Sequence, residues 1–302
     1  MKKTQQTNNI KPPSIYTIWL IIFNITLICC LFPKNTFANK TPHDFIGSPQ
    51  NQGIYPEIKI GLRSYEYRAA NTKVFDVNFP SIKIGLLGEY KTYFGQVYYE
   101  RSLGDGDGNV EAEWDGRLGD SSKGNLGQVV NYTRSDSAVL SGVRFKPEID
   151  WSKNIEFGFF GGYKRGVSKI EFKEYFNFEL QETIEYEYNI DTEGPFAGLG
   201  FAIHIEQYGL LGIRGAYSWL DVDVSEKTKR LDSTIKSNYL GDGKGLSFGI
   251  AWIASLSQNL QYILEFDWHD YKYKDLKSDL SSLTDIDENQ TTWRIGITYL
   301  IR

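Results

Sequence analysis

Outside its first 38 residues this 302-residue chain contains no cysteine, because Cys29 and Cys30 both lie inside the apolar run from Ile15 to Phe32. A disulfide framework and a thiolate metal site are thereby excluded, which leaves stability to backbone hydrogen bonding and packing. No stretch after Phe32 is apolar for long enough to cross a membrane as a helix. No lysine- and arginine-rich run marks a lipid-headgroup patch. Histidine is scarce as well: His43, His204 and His269 are the whole supply.

What is present begins with a segment that obeys different rules from the rest. Lys2, Lys3 and Lys11 precede the apolar run, and Thr36-Phe37-Ala38 offers small residues where a signal peptidase cuts. Residues 1–38 are therefore expected to be a secretory signal peptide, followed by a polar lead at 39–56. Removing the signal takes four lysines from 33 basic residues, leaving 29 against 38 acidic ones and a net charge of −9. An acidic mature chain argues against a nucleic-acid partner.

From about Ile58 onward, apolar residues alternate with small or charged ones, segment after segment. At the C-terminal end Trp293, Ile295, Ile297, Tyr299 and Ile301 take one parity, while Arg294, Gly296, Thr298 and Leu300 take the other. A pleated strand has a side-chain period of two, so these sets occupy opposite faces. Repetition of the pattern predicts an all-β transmembrane antiparallel barrel of about ten strands over 57–302. The expected strands are 57–68, 76–90, 93–102, 129–147, 154–172, 182–206, 208–224, 234–255, 260–274 and 288–301. Aromatics at segment ends and charges on the second face favour this reading over a soluble sandwich.

One face of each strand is expected to meet lipid. It carries Ile58, Ile60 and Leu62; Ile82, Ile84 and Leu86; Val139, Val143 and Phe145; Ile155, Phe157 and Phe159; Leu199, Phe201, Ile203 and Ile205; Leu211, Ile213 and Tyr217; Phe248, Ile250 and Trp252; and Tyr262, Leu264, Phe266 and Trp268. The opposite face carries Lys59, Arg63, Lys83, Glu89, Arg144, Glu156, Lys164, Arg214, Glu265, Asp267 and Arg294, expected to pair across the lumen. Tight connections near Lys91, Glu148–Lys153, Gln207 and Ser257–Asn259 alternate with longer polar ones at Ala69–Thr72, Leu103–Gln128, Lys173–Gln181, Ser225–Ser233 and Asp275–Asp287. That asymmetry predicts short periplasmic turns and long outer loops, hence a cell outer membrane location with lipid, and lipopolysaccharide where it is present, as surroundings.

The segment Gly108-Asn109-Val110-Glu111-Ala112-Glu113-Trp114-Asp115-Gly116, with Gly161-Gly162-Tyr163, Gly194-Pro195-Phe196-Ala197-Gly198-Leu199 and Gly215-Ala216-Tyr217-Ser218-Trp219 following in order, resembles the omptins. These are ten-stranded outer-membrane proteases, and the resemblance covers most of the mature chain. It implies cleavage beside basic residues by a water held between a carboxylate pair and an aspartate–histidine pair. Glu111 and Glu113 stand where the family has two aspartates. Each side chain is one methylene longer, and a shift of about an ångström can cost about a hundredfold in rate. Asp221 and Asp223 both echo the family's loop aspartate, Asp223 being the one carried into the candidate set, but no histidine follows Trp219 in that loop. His269, between Asp267 and Asp270, is the remaining candidate.

Other stretches carry less. Asp105, Asp107 and Asn109 space oxygen atoms as calcium loops do, but Gly116 stands at the twelfth position where an EF-hand has glutamate. Gly241-Asp-Gly-Lys-Gly245 reads as glycine relief in a long strand, and Tyr271-Lys-Tyr-Lys274 as an interfacial girdle. Neither a cofactor nor a metal is assigned. The C-terminal Tyr299-Leu-Ile-Arg302 departs from the terminal aromatic common in such barrels. The expected function is surface binding or structure carried by outer loops, toward a peptide or protein ligand the sequence does not specify. The alternatives are an omptin-like endopeptidase using Glu111, Glu113, Asp223 and His269, and a narrow channel.

Overall fold

The computed structural model describes residues 52–69, 72–104, 107–115, 121–147, 154–176, 182–205, 208–230, 233–257, 259–278 and 285–301. The expected signal segment lies outside them, as does most of the polar lead. Strand β1 (Gly53–Ala69) already begins inside that lead. The others are β2 (Thr72–Tyr90), β3 (Tyr93–Ser102), β4 (Asp107–Asp115), β5 (Ser121–Phe145), β6 (Ile155–Phe176), β7 (Glu182–Ile205), β8 (Gly209–Arg230), β9 (Ser233–Ser255), β10 (Leu260–Lys277) and β11 (Ile286–Tyr299).

Each strand pairs antiparallel with its neighbours, and β1 pairs with both β11 and β2, so the sheet closes. β3 and β4 share the same two neighbours, β2 and β5. They are two segments of one position in the wall, and the eleven segments make a ten-stranded barrel. The break follows Ser102, where Gly104 turns at φ +80 and Leu103 N donates to Pro80 O at 2.8 Å. Closure removes the unpaired edges an open sheet would present.

The two faces are inverted relative to a water-soluble protein, as the alternation requires. Ile60, Leu62, Val139, Phe159, Leu199 and Ile295 are exposed, whereas Lys59, Arg63, Lys83, Glu100, Glu265 and Arg294 are each less than 7% exposed. Aromatics rim the apolar exterior. Tyr90, Tyr93, Tyr208 and Tyr299 stand near one end, and Tyr163 and Trp219 stand farther along. Tyr208 and Trp219 are eleven residues apart, roughly 28 Å along the barrel axis for strands rising about 3.3 Å per residue and tilted about 40°. That matches an apolar band of about 25 Å.

The connections at one rim are tight. Tyr90 pairs with Tyr93 across Lys91-Thr92, and Lys91 takes φ 55, as two-residue hairpin turns of the right twist require. Gly209, at φ +112, begins β8 where a Cβ would lie 2.2 Å from Ile253 O.

The opposite rim departs from expectation. Strands β5 to β9 contain 22 to 25 residues each, about twice the 9–11 a membrane crossing needs. The segments expected as outer loops at Leu103–Gln128 and Ser225–Ser233 are largely strand: β4 pairs with β5 from Gly108↔Val129 to Asp115↔Ser121, and β8 pairs with β9 as far as Arg230↔Ser233. Charged pairs support the extensions on their outer face, across β6 and β7 for Lys173–Glu185 at 2.9 Å and Lys169–Glu187 at 3.3 Å and along β6 for Lys169–Glu171 at 2.7 Å.

Candidate functional site: the filled lumen

The lumen has layers. In the middle, Lys59, Arg63, Lys83, Arg134, Arg214 and Arg294 meet Glu57, Glu100, Asp136, Glu265, Asp267 and Glu288 in one connected network of six cations and six carboxylates. Glu265 is its hub, with Lys59 at 2.9 Å, Lys83 at 3.8 Å, Arg294 at 3.7 Å and Arg214 in direct contact. Arg294 also reaches Glu100 at 2.7 Å and pairs with Asp267. Arg63 joins Glu100 at 2.8 Å to Asp136, and Arg134 carries the chain to Glu288 at 2.6 Å. Ionised groups are tolerated in such an interior only when each finds its counter-charge and hydrogen bonds. The contributing strands are β1, β2, β3, β5, β8, β10 and β11, so the network ties distant parts of the wall together.

Sequence reasoning placed Lys59, Arg63, Lys83, Arg214, Glu265, Asp267 and Arg294 inside and missed Glu57, Glu100, Arg134, Asp136 and Glu288. The missing signal is parity. Glu57 lies two residues before Lys59, and Glu288 lies six before Arg294.

Toward the long-hairpin rim the filling changes character. Tyr65, Tyr67, Val77, Phe79, Tyr132, Ile170, Ile190, Leu220, Val222, Val224, Tyr273 and Leu276 form a buried apolar cluster. Tyr132 packs against Tyr65 and Phe79 at ring-centroid distances of 5.0 and 4.9 Å. The Arg134 guanidinium lies 5.5 Å from the Tyr65 ring centroid, and Tyr273 Oη donates to Glu288 Oε2 at 2.6 Å, joining the two layers. Tyr271 and Tyr273 are 6% and 0% exposed. This corrects the girdle reading: they continue the inward parity of Glu265 and Asp267, while Lys272 and Lys274 face out. The glycines of 241–245 supply the room. A Cβ on Gly245 would lie 2.1 Å from Tyr271 Cδ1, and one on Gly243 would lie 2.8 Å from Tyr273 Cδ1.

Between the layers is a cavity of about 110 Å³, room for several waters. His269 borders it, with Nδ1 2.8 Å from Ser247 Oγ and its ring stacked at 5.8 Å on Tyr271.

The four residues weighed for catalysis lie on three strands, no two of them adjacent. Glu111 and Glu113 belong to β4, opposite Asn125 and Lys123 of β5, and their side chains lie outside the described residues. Asp223 belongs to β8, opposite Asp191 and Leu240. It is exposed, while Val222 and Val224 on either side are 2% and 0% exposed in the apolar cluster. Asp223 therefore stands on the outer face of the wall and His269 on the inner face. Asp267, two residues from His269, is engaged by Arg214 at 2.7 Å and by Arg294. His204 lies near the opposite end, 3.4 Å from Glu156.

A closed antiparallel sheet with an apolar belt outside and a charged interior defines a transmembrane β-barrel of the outer-membrane type. Its fold is omptin-like. The solved outer membrane protease OmpT from Escherichia coli superposes with a TM-score of 0.58 at 14% identity, covering 84% of this chain and 98% of that one. The translocator domain of the autotransporter NalP from Neisseria meningitidis gives a TM-score of 0.47 at 7% identity over 93% of this chain and 95% of that one. No protein-family model matches the chain, and no curated protein matches it in sequence.

Proposed function

We propose that this outer-membrane barrel is a non-proteolytic scaffold that presents its extended hairpins at the cell surface for binding or for a structural role. The observation that carries the reading is the outer half of the lumen. Leu220, Val222 and Val224 enter a buried tyrosine-rich cluster, while Asp223 is exposed on the other face. A water-activating site needs its carboxylates and histidine within hydrogen-bond reach of one water, and Asp223 and His269 have the wall between them. The long strands β5 to β9 supply a stiff surface for a peptide or protein ligand, with charged pairs along the outside.

Incubation of the purified protein, in detergent with lipopolysaccharide, with peptides containing paired basic residues tests the reading. No cleavage above the buffer rate is expected. Cleavage that disappears in Glu111→Gln would overturn it and restore the endopeptidase.

A further inference from the structure

One lumen cation stands outside the network of ion pairs. The middle network matches six cations to six carboxylates, and Arg144 is matched by Glu89 at 3.1 Å. Lys164, on β6, points inward beside the cavity, half-buried. Its Nζ donates one hydrogen bond, to Tyr271 Oη at 2.9 Å, and sits 4.3 Å from the centroid of that ring. Among the described residues no carboxylate lies within 4 Å of it. An ammonium carries three donors and a full charge, so one phenol oxygen and a ring face leave two donors and the charge unmatched.

A second orphan lines the same cavity. Ser218, on β8, is 1% exposed, and its Oγ has no hydrogen-bond partner within the protein. Strand register places both groups around Tyr271. Ser218 is opposite Gly245, and Gly245 is opposite Tyr271. The Tyr271 ring lies over Gly245, as the 2.1 Å approach to a Cβ there shows, and so extends toward β8. Lys164 meets that ring from β6. A buried hydroxyl and a half-buried ammonium, both short of acceptors, thus share one cavity. Phe160, Phe196 and Leu140 form its apolar side.

We infer that the cavity is a binding site for a small monovalent anion of the halide class, held by Lys164 Nζ and Ser218 Oγ. An ammonium with no carboxylate in ion-pair distance fits one negative charge, and a polyvalent anion would carry excess negative charge into the interior. The apolar side suits a weakly hydrated, polarisable ion. Both orphan groups gain an acceptor. The site is independent of whatever the outer hairpins bind.

Bromide is the probe. At constant ionic strength, with sodium bromide replacing sodium gluconate, the unfolding midpoint of the detergent-solubilised protein is expected to rise saturably. Lys164→Met should abolish that rise, and Ser218→Ala should shift its half-saturation several-fold to higher bromide. Anomalous scattering from wild-type crystals grown in bromide should show a peak beside Lys164 Nζ, a readout that needs no variant to fold. A wild-type midpoint indifferent to bromide, an equal rise in Lys164→Met, or a cavity containing only water would each overturn the assignment.

Discussion

The two fillings of the lumen, ionic at mid-barrel and aromatic toward the long-hairpin rim, close the same cylinder by different physics. In the ionic layer each group is held because its partners are present, so the layer is only as good as its least-matched charge. In the aromatic layer stability scales with apolar area removed from water, about 1.5–3 kcal/mol for each fully buried side chain. The first layer sits at the depth of the exposed apolar belt, where the wall is surrounded by hydrocarbon. The second lies where the strands outrun the membrane and the interior must be kept from water by its own packing. A barrel wall that continues beyond the lipid behaves there as an ordinary β-protein, with tyrosines inside and ion pairs outside.

The largest expected effect breaks the ionic layer at its hub. Glu265→Gln removes the charge that Lys59, Lys83, Arg214 and Arg294 share, and should cost roughly 3–5 kcal/mol, measured by urea unfolding in micelles. A loss below about 1 kcal/mol would show that solvent already screens this layer. In the aromatic layer, Ile170→Ala at a fully buried position should cost about 2–4 kcal/mol through lost area and a cavity. Its signature separates the layers: amide exchange should quicken around Val222 and Val224 while the neighbourhood of Glu265 stays protected.

Gly245→Ala sharpens the boundary between them. The added methyl meets the Tyr271 ring at 2.1 Å, which should cost about 1–3 kcal/mol by overpacking. In a Tyr271→Ala background most of that cost should vanish, a coupling read from a double-mutant cycle.

How much of this was legible in the chain differs between the same two layers. The period of two placed Ile58 and Ile60 outside and Lys59 and Arg63 inside, because lipid and lumen demand opposite chemistry at every step. The same parity also pointed Tyr65, Tyr271 and Tyr273 inward. Tyrosine at a strand end is equally at home in a membrane girdle, however, and nothing local in Tyr271-Lys-Tyr-Lys274 says that the strand has already left the bilayer. The outer hairpins were hard to read for a related reason. Polar stretches such as Ser225–Arg230 look like loops, yet cross-strand pairs with β7 and β9 hold them extended. Motif order supplies Glu111, Glu113 and Asp223 and elimination supplies His269, and neither carries the face of the wall on which Asp223 lies.

The smallest effect belongs to the outer face of those hairpins. A hydrogen bond from Lys173, with Lys229 nearby, holds the Glu185 carboxyl below the usual carboxylate range. A carboxylate whose folded pKa is lowered adds stability above its unfolded value and loses it as pH falls through the folded one. Hydrogen exchange at the tips of β7 and β8 should therefore rise modestly below about pH 4, and Glu185→Gln should remove that dependence. The exposure of the pair keeps the effect small.

The central claim is that ionic and aromatic layers together fill the barrel. Conductance of the purified protein in planar lipid bilayers tests it most directly. The layers described here predict a silent membrane, with no steady open steps across the voltages at which a porin conducts. Stable, porin-sized steps from the wild-type protein would contradict the filled lumen and put the narrow channel in its place.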